Sequence, residues 1–393
     1  MPTFYNFRQD GLDYSFDDIF VPADLFREGN LWTWGFGNYG RLGNAVVTDT
    51  STPVTTFAGG TNWKQISGGT FLTTAIKTDG TLWVWGSAGN GRLGNAVTTG
   101  NISTPVTTFA GGNNWKEVSS GNQHTSAIKT DGTLWIWGAG SSGRLGNAVT
   151  TGNISTPVTT FAGGTNWKQV SSGSGSHTAA IKTDGTLWTW GYNTNGQLGT
   201  NDSTNRSTPV TTFSGGNNWK QISAGGAHTA AIKTDGTLWI WGAGTYGRLG
   251  NAATSDVSTP VTTFAGGTDW KQVASAGSYT AAIKTDGTLW TWGLGSSGRL
   301  GTNDTINRST PVTTFAGGTN WKQISAGGNQ TAAIKTDGTL WTWGFGFYGQ
   351  LGNASITFTN PTPVTTFAGG TNWKQVSSGN NHMAALTYID PVI

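Results

Sequence analysis

Apolar and polar positions alternate along short runs of this chain, and the runs return with a fixed period. In Leu31–Gly35 (LWTWG), alternation sets Trp32 and Trp34 on one face of an extended strand and Leu31 and Thr33 on the other. TAAIKT and TLWTWG flank Asp-Gly, a tight-hairpin signal, while TPVTTF and NWKQIS flank a Gly-Gly pair able to adopt positive φ. Each unit therefore predicts four short strands in one antiparallel sheet. Aligned on Leu-Trp-x-Trp-Gly, the Leu falls at 31, 82, 134, 187, 238, 289 and 340, with spacings of 51 to 53 residues, so there are seven units. A single sheet cannot bury both faces, whereas stacked copies press each Trp pair on a neighbour. At ~25 cal/mol per Å2 and ~200 Å2 per Trp, that burial is worth about 5 kcal/mol each before entropy is subtracted. The pattern predicts an all-β fold, a seven-bladed β-propeller of four-stranded antiparallel blades. The nonamer AIKTDGTLW, present six times, reads as the inner hairpin of the blades.

The chain ends predict how the ring closes. HMAALTYID (382–390) matches HTAAIKTDG but has no LWxWG behind it, and the first LWTWG follows ADLFREGN, a poor copy of the same strand. Met383–Leu386 should therefore pair beside Leu31–Trp34, closing the ring by overlap of the terminal segments and removing exposed edges. The expected organisation is an extended arm over residues 1–23 and a propeller over 24–393.

Composition narrows the function classes. With 62 Gly, 21 Trp and only 10% charged residues the chain suits packed strands and tight turns, not disorder. No run approaches about 18 consecutive apolar residues, so membrane insertion is not expected. Residues 1–20 lack the basic start and apolar centre of a secretory signal, which implies synthesis in the cytosol. Absence of Cys removes disulfides, thiolate nucleophiles and Cys-ligated metals. The net charge of +3 divides into −4 over residues 1–30 and +7 over the remainder, whose Lys recur singly at repeat positions. An acidic arm and dispersed Lys argue against nucleic acid as a partner.

Catalytic constellations dissolve when the units are put in register. His124, His177, His228 and His382 share one position, which Leu72, Tyr279 and Gln330 fill elsewhere, so a loop-ordering role is expected instead of a metal ring or base. The TDG aspartates are turn formers. The linkers TNDSTNRSTP (200–209) and TNDTINRSTP (302–311) offer one Asp apiece, thin ligation for calcium. The expectation is no enzyme activity, no cofactor and no metal.

ISAGGAHTAAI (222–232) followed by LWIWGAGTYGRLG (238–250) resembles the regulator of chromosome condensation repeat family, over about residues 24–390. The resemblance implies a seven-bladed propeller. Its eponymous member exchanges nucleotide on a small GTPase and binds chromatin, and other look-alikes inhibit β-lactamases through one ring face; the resemblance thus implies binding as the use of the scaffold. The strap-plus-propeller layout also resembles proteins of tailed bacteriophages, read from DYSFDDIFVPADLFREGNLWTWG and the Gly/Thr/Asn-rich composition.

Variation between units locates the candidate site. One face should carry the near-identical TDG turns, and the opposite, lower face the variable loops after each WG. There Phe36, Tyr39, Phe345, Phe347 and Tyr348 should converge beside the seam, with Tyr192 and Tyr246 elsewhere on the same face. Two readings stay open: a recognition patch for a protein or glycan, or a dock for the chain's own arm with Phe4, Tyr5, Phe7, Tyr14, Phe16 and Phe20. The expected function is a non-enzymatic interaction module. Its leading setting is the virion, as a capsid, tail or fibre component or an adhesin that binds virion proteins or a host surface. The alternative is a cytoplasmic regulatory binding protein, such as a GTPase exchange factor or an enzyme inhibitor.

Overall fold

A computed structural model of the chain describes residues 28–388. The arm expected over 1–23, including its six aromatic residues, lies outside them. The described residues form 28 strands, β1–β28 in chain order, grouped into seven four-stranded sheets. The second blade shows how the repeat makes one sheet. Trp63–Gly68 (β3), Leu72–Lys77 (β4), Leu82–Ser87 (β5) and Asn101–Thr107 (β6) pair antiparallel in that order. The β4–β5 hairpin turns on Asp79 and Gly80: the Asp79 carboxylate accepts from the Thr81 N–H at 2.9 Å and hydroxyl at 2.7 Å, and Gly80 takes φ +80°.

The expected inner hairpin is instead the middle of the blade. The NWKQIS strand lies innermost, because successive copies are tied to one another around the axis. The Val118 N–H donates to Gln65 Oε1 at 3.0 Å and the Ser120 N–H to Ser67 Oγ at 2.9 Å. The same pattern runs round to Gly68, whose N–H donates to Ser377 Oγ at 2.9 Å. Small residues at the ends of these strands line a central channel of about 210 Å3. The TPVT strand, whose Pro cannot donate to a ladder, takes the outer edge.

Neighbouring sheets interlock through tryptophan. Between the first two blades, Leu31, Ala384 and Leu386 of one sheet meet Trp63, Ile66, Ala75 and Trp85 of the next. Trp63 contacts Trp83 and Trp85 edge-on at 6.2 and 6.5 Å. The Trp85 indole N–H donates at 2.9 Å to the carbonyl of Arg41, in the loop of the preceding blade. Gly43 of that GRLG loop lies flat on the same indole, at φ +67°, where a Cβ would come within 2.7 Å of Nε1.

Closure occurs as the sequence predicts. Thr50–Thr55 (β2), Glu28–Gly35 (β1), His382–Tyr388 (β28) and Trp373–Ser378 (β27) make one sheet in that order, with Leu31 opposite Leu386 and Trp34 opposite Met383. Among the described residues no helix is long and apolar enough to cross a membrane.

Candidate binding face at the ring seam

Strand direction sorts the loops onto two faces. β4 ends at the TDG turn, and the Thr78 N–H donates at 2.8 Å to the Asn62 carbonyl, so TDG turns share the upper face with the crossovers that enter each inner strand. The lower face collects the turns between the first two strands of each blade and the variable loops after LWxWG.

Five expected aromatics do converge at the seam. Phe36 of the first blade packs on Tyr348 of the last at 4.4 Å. Phe345 and Phe347 each contact Tyr348, at 6.0 and 5.2 Å, and Tyr39 is reached from Phe36 through Arg41, whose guanidinium lies 4.8 Å from the Phe36 ring and 5.3 Å from the Tyr39 ring. Tyr192 and Tyr246 sit in equivalent loops of other blades; Tyr246 is exposed beside Arg248, at 5.7 Å. Two members were missed. Phe71 meets Tyr39 edge-on at 5.7 Å and Arg92 at 4.8 Å, and Phe358 stacks on Phe347 at 4.7 Å. Phe71 was signalled by an aromatic where the other units place Gln, Ser, Ala or Asn, and Phe358 by the one linker reading ITFTNP.

Charge gives this face its sign. Arg41, Arg92, Arg144, Arg248 and Arg299, from the G-[RQ]-L-G motif, are buried, and each points Nε at a carbonyl of its own loop, as Arg41 does to Asn38 at 3.0 Å. Among the described residues the ion pairs are Asp202–Arg206, Asp269–Lys284 and Asp304–Arg308, so none of the five has a carboxylate in pairing range. Burial lowers all five pKa values, that of Arg41 to about 10, which marks the cost of holding these charges away from water. Asp49 and Asp256 stand near enough to favour the charged forms of Arg41 and Arg248 without pairing with them.

The histidines are fully buried bridges between blades. His124, His177, His228 and His382 each meet a Thr of the next blade through Nε2, at 2.8 to 2.9 Å, and Tyr279 does the same through its hydroxyl. Those Thr hydroxyls donate to the loop carbonyls, as Thr178 does to Arg144 at 3.0 Å, so they accept from Nε2–H and Nδ1 carries no proton. Burial holds all four pKa values low, that of His177 at about 4. In the two Asp linkers, Asp202 and Asp304 pair with Arg206 and Arg308 at 2.5 Å. Among the described residues no three His, Asp or Glu gather as a metal site would require.

One feature of the upper face escaped the sequence reading. The Phe that ends each TPVTTF, from Phe57 to Phe367, is 64–71% exposed on every blade. These seven rings sit on the crossovers and form a repeated apolar rim.

Residues 23–316 match the RCC1-like domain, and residues 321–350 and 337–386 match the regulator of chromosome condensation (RCC1) repeat. The ultraviolet-B receptor UVR8 of Arabidopsis thaliana is 32% identical over 284 residues, 72% of this chain and 64% of that protein. The E3 ubiquitin-protein ligase HERC2 of Homo sapiens is 28% identical over 370 residues, 92% of this chain but 8% of that protein. This chain therefore spans less than two thirds of either relative. Among solved structures, Prp20p from Saccharomyces cerevisiae superposes with a TM-score of 0.80 at 16% identity over 93% of each chain, a likeness of fold. Seven Trp-locked blades closed by a terminal overlap, together with a match that runs through most of them, show that this chain belongs to the RCC1-like domain family.

Proposed function

We propose that this chain is a non-enzymatic, regulatory protein-binding propeller. Its lower face at the seam would grip a partner segment that carries both carboxylates and apolar side chains. The observation behind this reading is the continuous run Phe358–Phe347–Tyr348–Phe36–Arg41–Tyr39–Phe71, in which six aromatic rings flank one guanidinium that forms no direct ion pair among the described residues. Aromatic anchors give large contact area with little side-chain entropy, and Arg supplies direction. Prp20p, which shares the fold, has binding properties to Gsp1p and histones. The virion and adhesion settings expected from the arm and composition find no counterpart among these relatives, which favour regulatory binding instead. A second reading, binding through the exposed upper Phe rim, is favoured by its sevenfold repetition.

Affinity capture followed by quantitative binding with the purified partner separates the two faces. Replacing Tyr39, Phe347 and Tyr348 by Ser should weaken binding by about 1–4 kcal/mol without loss of the fold. A triple variant that binds normally, beside a Phe57, Phe109 and Phe161 to Ser variant that does not, would move the site to the upper face.

A further inference from the structure

Six blades carry a lysine that the seventh lacks. In those six, the Lys that ends the second strand lays its ammonium over two tryptophans: Lys77 Nζ lies 4.8 Å from the Trp63 ring and 4.6 Å from the Trp83 ring. The arrangement recurs at Lys129, Lys182, Lys233, Lys284 and Lys335, with distances from 4.3 to 5.2 Å. The second indole of each pair is also satisfied at its edge, as Trp83 Nε1–H donates to Thr81 Oγ1 at 2.9 Å. Each of these six blades is thus a finished cation–π box with a hydroxyl acceptor beside it.

Among the described residues, the seam blade keeps the box without its filling. Trp32 and Trp373 meet at 6.4 Å and 66°, slightly wider and less perpendicular than the 6.1–6.3 Å and 73–77° of the other six pairs. Strand register places Thr387 opposite Trp373, where Lys77 stands opposite Trp63. Asn30 stands where Thr81 does, and Trp32 Nε1 is buried without a hydrogen-bond partner. Over these residues opens a cleft of about 370 Å3, lined by Asn30, Trp32, Thr61, Trp373, Thr387 and Tyr388. Two indole faces attract a cation, and an unsatisfied indole N–H seeks an oxygen.

We propose that the Trp32–Trp373 cleft is a binding site for an alkylammonium group with an adjacent oxygen acceptor, as presented by a lysine residue of a partner protein. The ammonium takes the position that Lys77 Nζ holds in the next blade, and a carbonyl or hydroxyl of the same segment accepts from Trp32 Nε1–H. The site is on the upper face, opposite the seam aromatics, and does not depend on their role.

The test uses the full chain labelled with 15N-tryptophan, with the Trp32 indole signal assigned from its loss in Trp32→Phe. Titration with N-acetyl-lysine methylamide should shift that signal saturably in the millimolar range, while the norleucine analogue, of similar shape but uncharged, should not. Thr387→Lys supplies the missing ammonium from within. It should move the Trp32 signal without ligand, weaken the probe at least about tenfold, and raise Tm more than Thr387→Met does. Equal shifts from the norleucine analogue, or probe binding untouched in Thr387→Lys, would overturn the proposal. A response seen only in an Arg8→Gln, Arg27→Gln double variant would overturn it too, by assigning the cleft to the chain's own arginine.

Discussion

Glu117 stands where six other blades place Gln in the ring of bonds about the axis. Its Oε1 accepts from the Val170 N–H at 2.8 Å, but a carboxylate cannot make the donation that Gln272 Nε2 makes to the Ile324 carbonyl at 3.3 Å. Enclosure of the carboxyl raises its pKa from 4.5 to about 7. A raised folded pKa gives stability that is complete below the unfolded value and is lost as pH rises toward 7. The four buried His act with the opposite sign: their folded pKa values lie below 6.5, so their contribution is present above 6.5 and is lost on acidification, toward about 4 for His177. Glu117→Gln should therefore stabilise the protein by about 2–3 kcal/mol at pH 8 and by little at pH 4, leaving the acid limb unchanged. Denaturant midpoints at the two pH values check this. The burial of either group was not legible in advance, because it depends on neighbours across blades that no single repeat contains.

Among the elements, the loop after β1 carries a conformational cost that the loop after β5 largely avoids. Tyr39 holds φ 66°, a region that costs a side chain of its size about 1–2 kcal/mol, while Asn90 fills the same position in the next blade at φ 61°. Tyr39→Asn should leave Tm unchanged or higher and weaken partner binding about tenfold, as calorimetry and titration would show. Strands and hairpins were legible from alternation and from Asp-Gly. Radial order was not, since alternation is the same at the axis and at the rim. The available signals were the small residues after NWKQI, which suit a crowded axis, and the Pro in TPVTTF, which suits an edge. Five of the seam aromatics were legible because they lie in loops that align between units. Phe71 and Phe358 fall in a turn and a linker outside that alignment, and the burial of the Arg side chains follows from contacts that no single unit contains.

At the scale of the whole ring, β28 is the strand on which closure rests. It pairs on both edges, and it supplies Met383 and Ala385 to one inter-blade layer and Ala384 and Leu386 to the next. Deleting residues 382–393 removes side chains from two core layers at once, at about 2–5 kcal/mol for each large one, against a total stability on the order of 5–15 kcal/mol. Cooperative melting should fall sharply or disappear in a thermal scan, and an unchanged curve would contradict the role given to this strand.

The pairing of Leu31 with Leu386 also sets an order in time. Of the described strands, the first to leave the ribosome waits for the last, an interval on the order of tens of seconds at ordinary rates of synthesis. Throughout it the edge of β1 is open, while six newly made strands of nearly the same sequence pass within reach. Each of those is taken by the LWxWG segment that follows it a few residues later, so local hairpin formation outruns capture by β1. β28 instead takes the LWxWG made first, that of β1, so the order of pairing works as a timing signal for the closure of the ring.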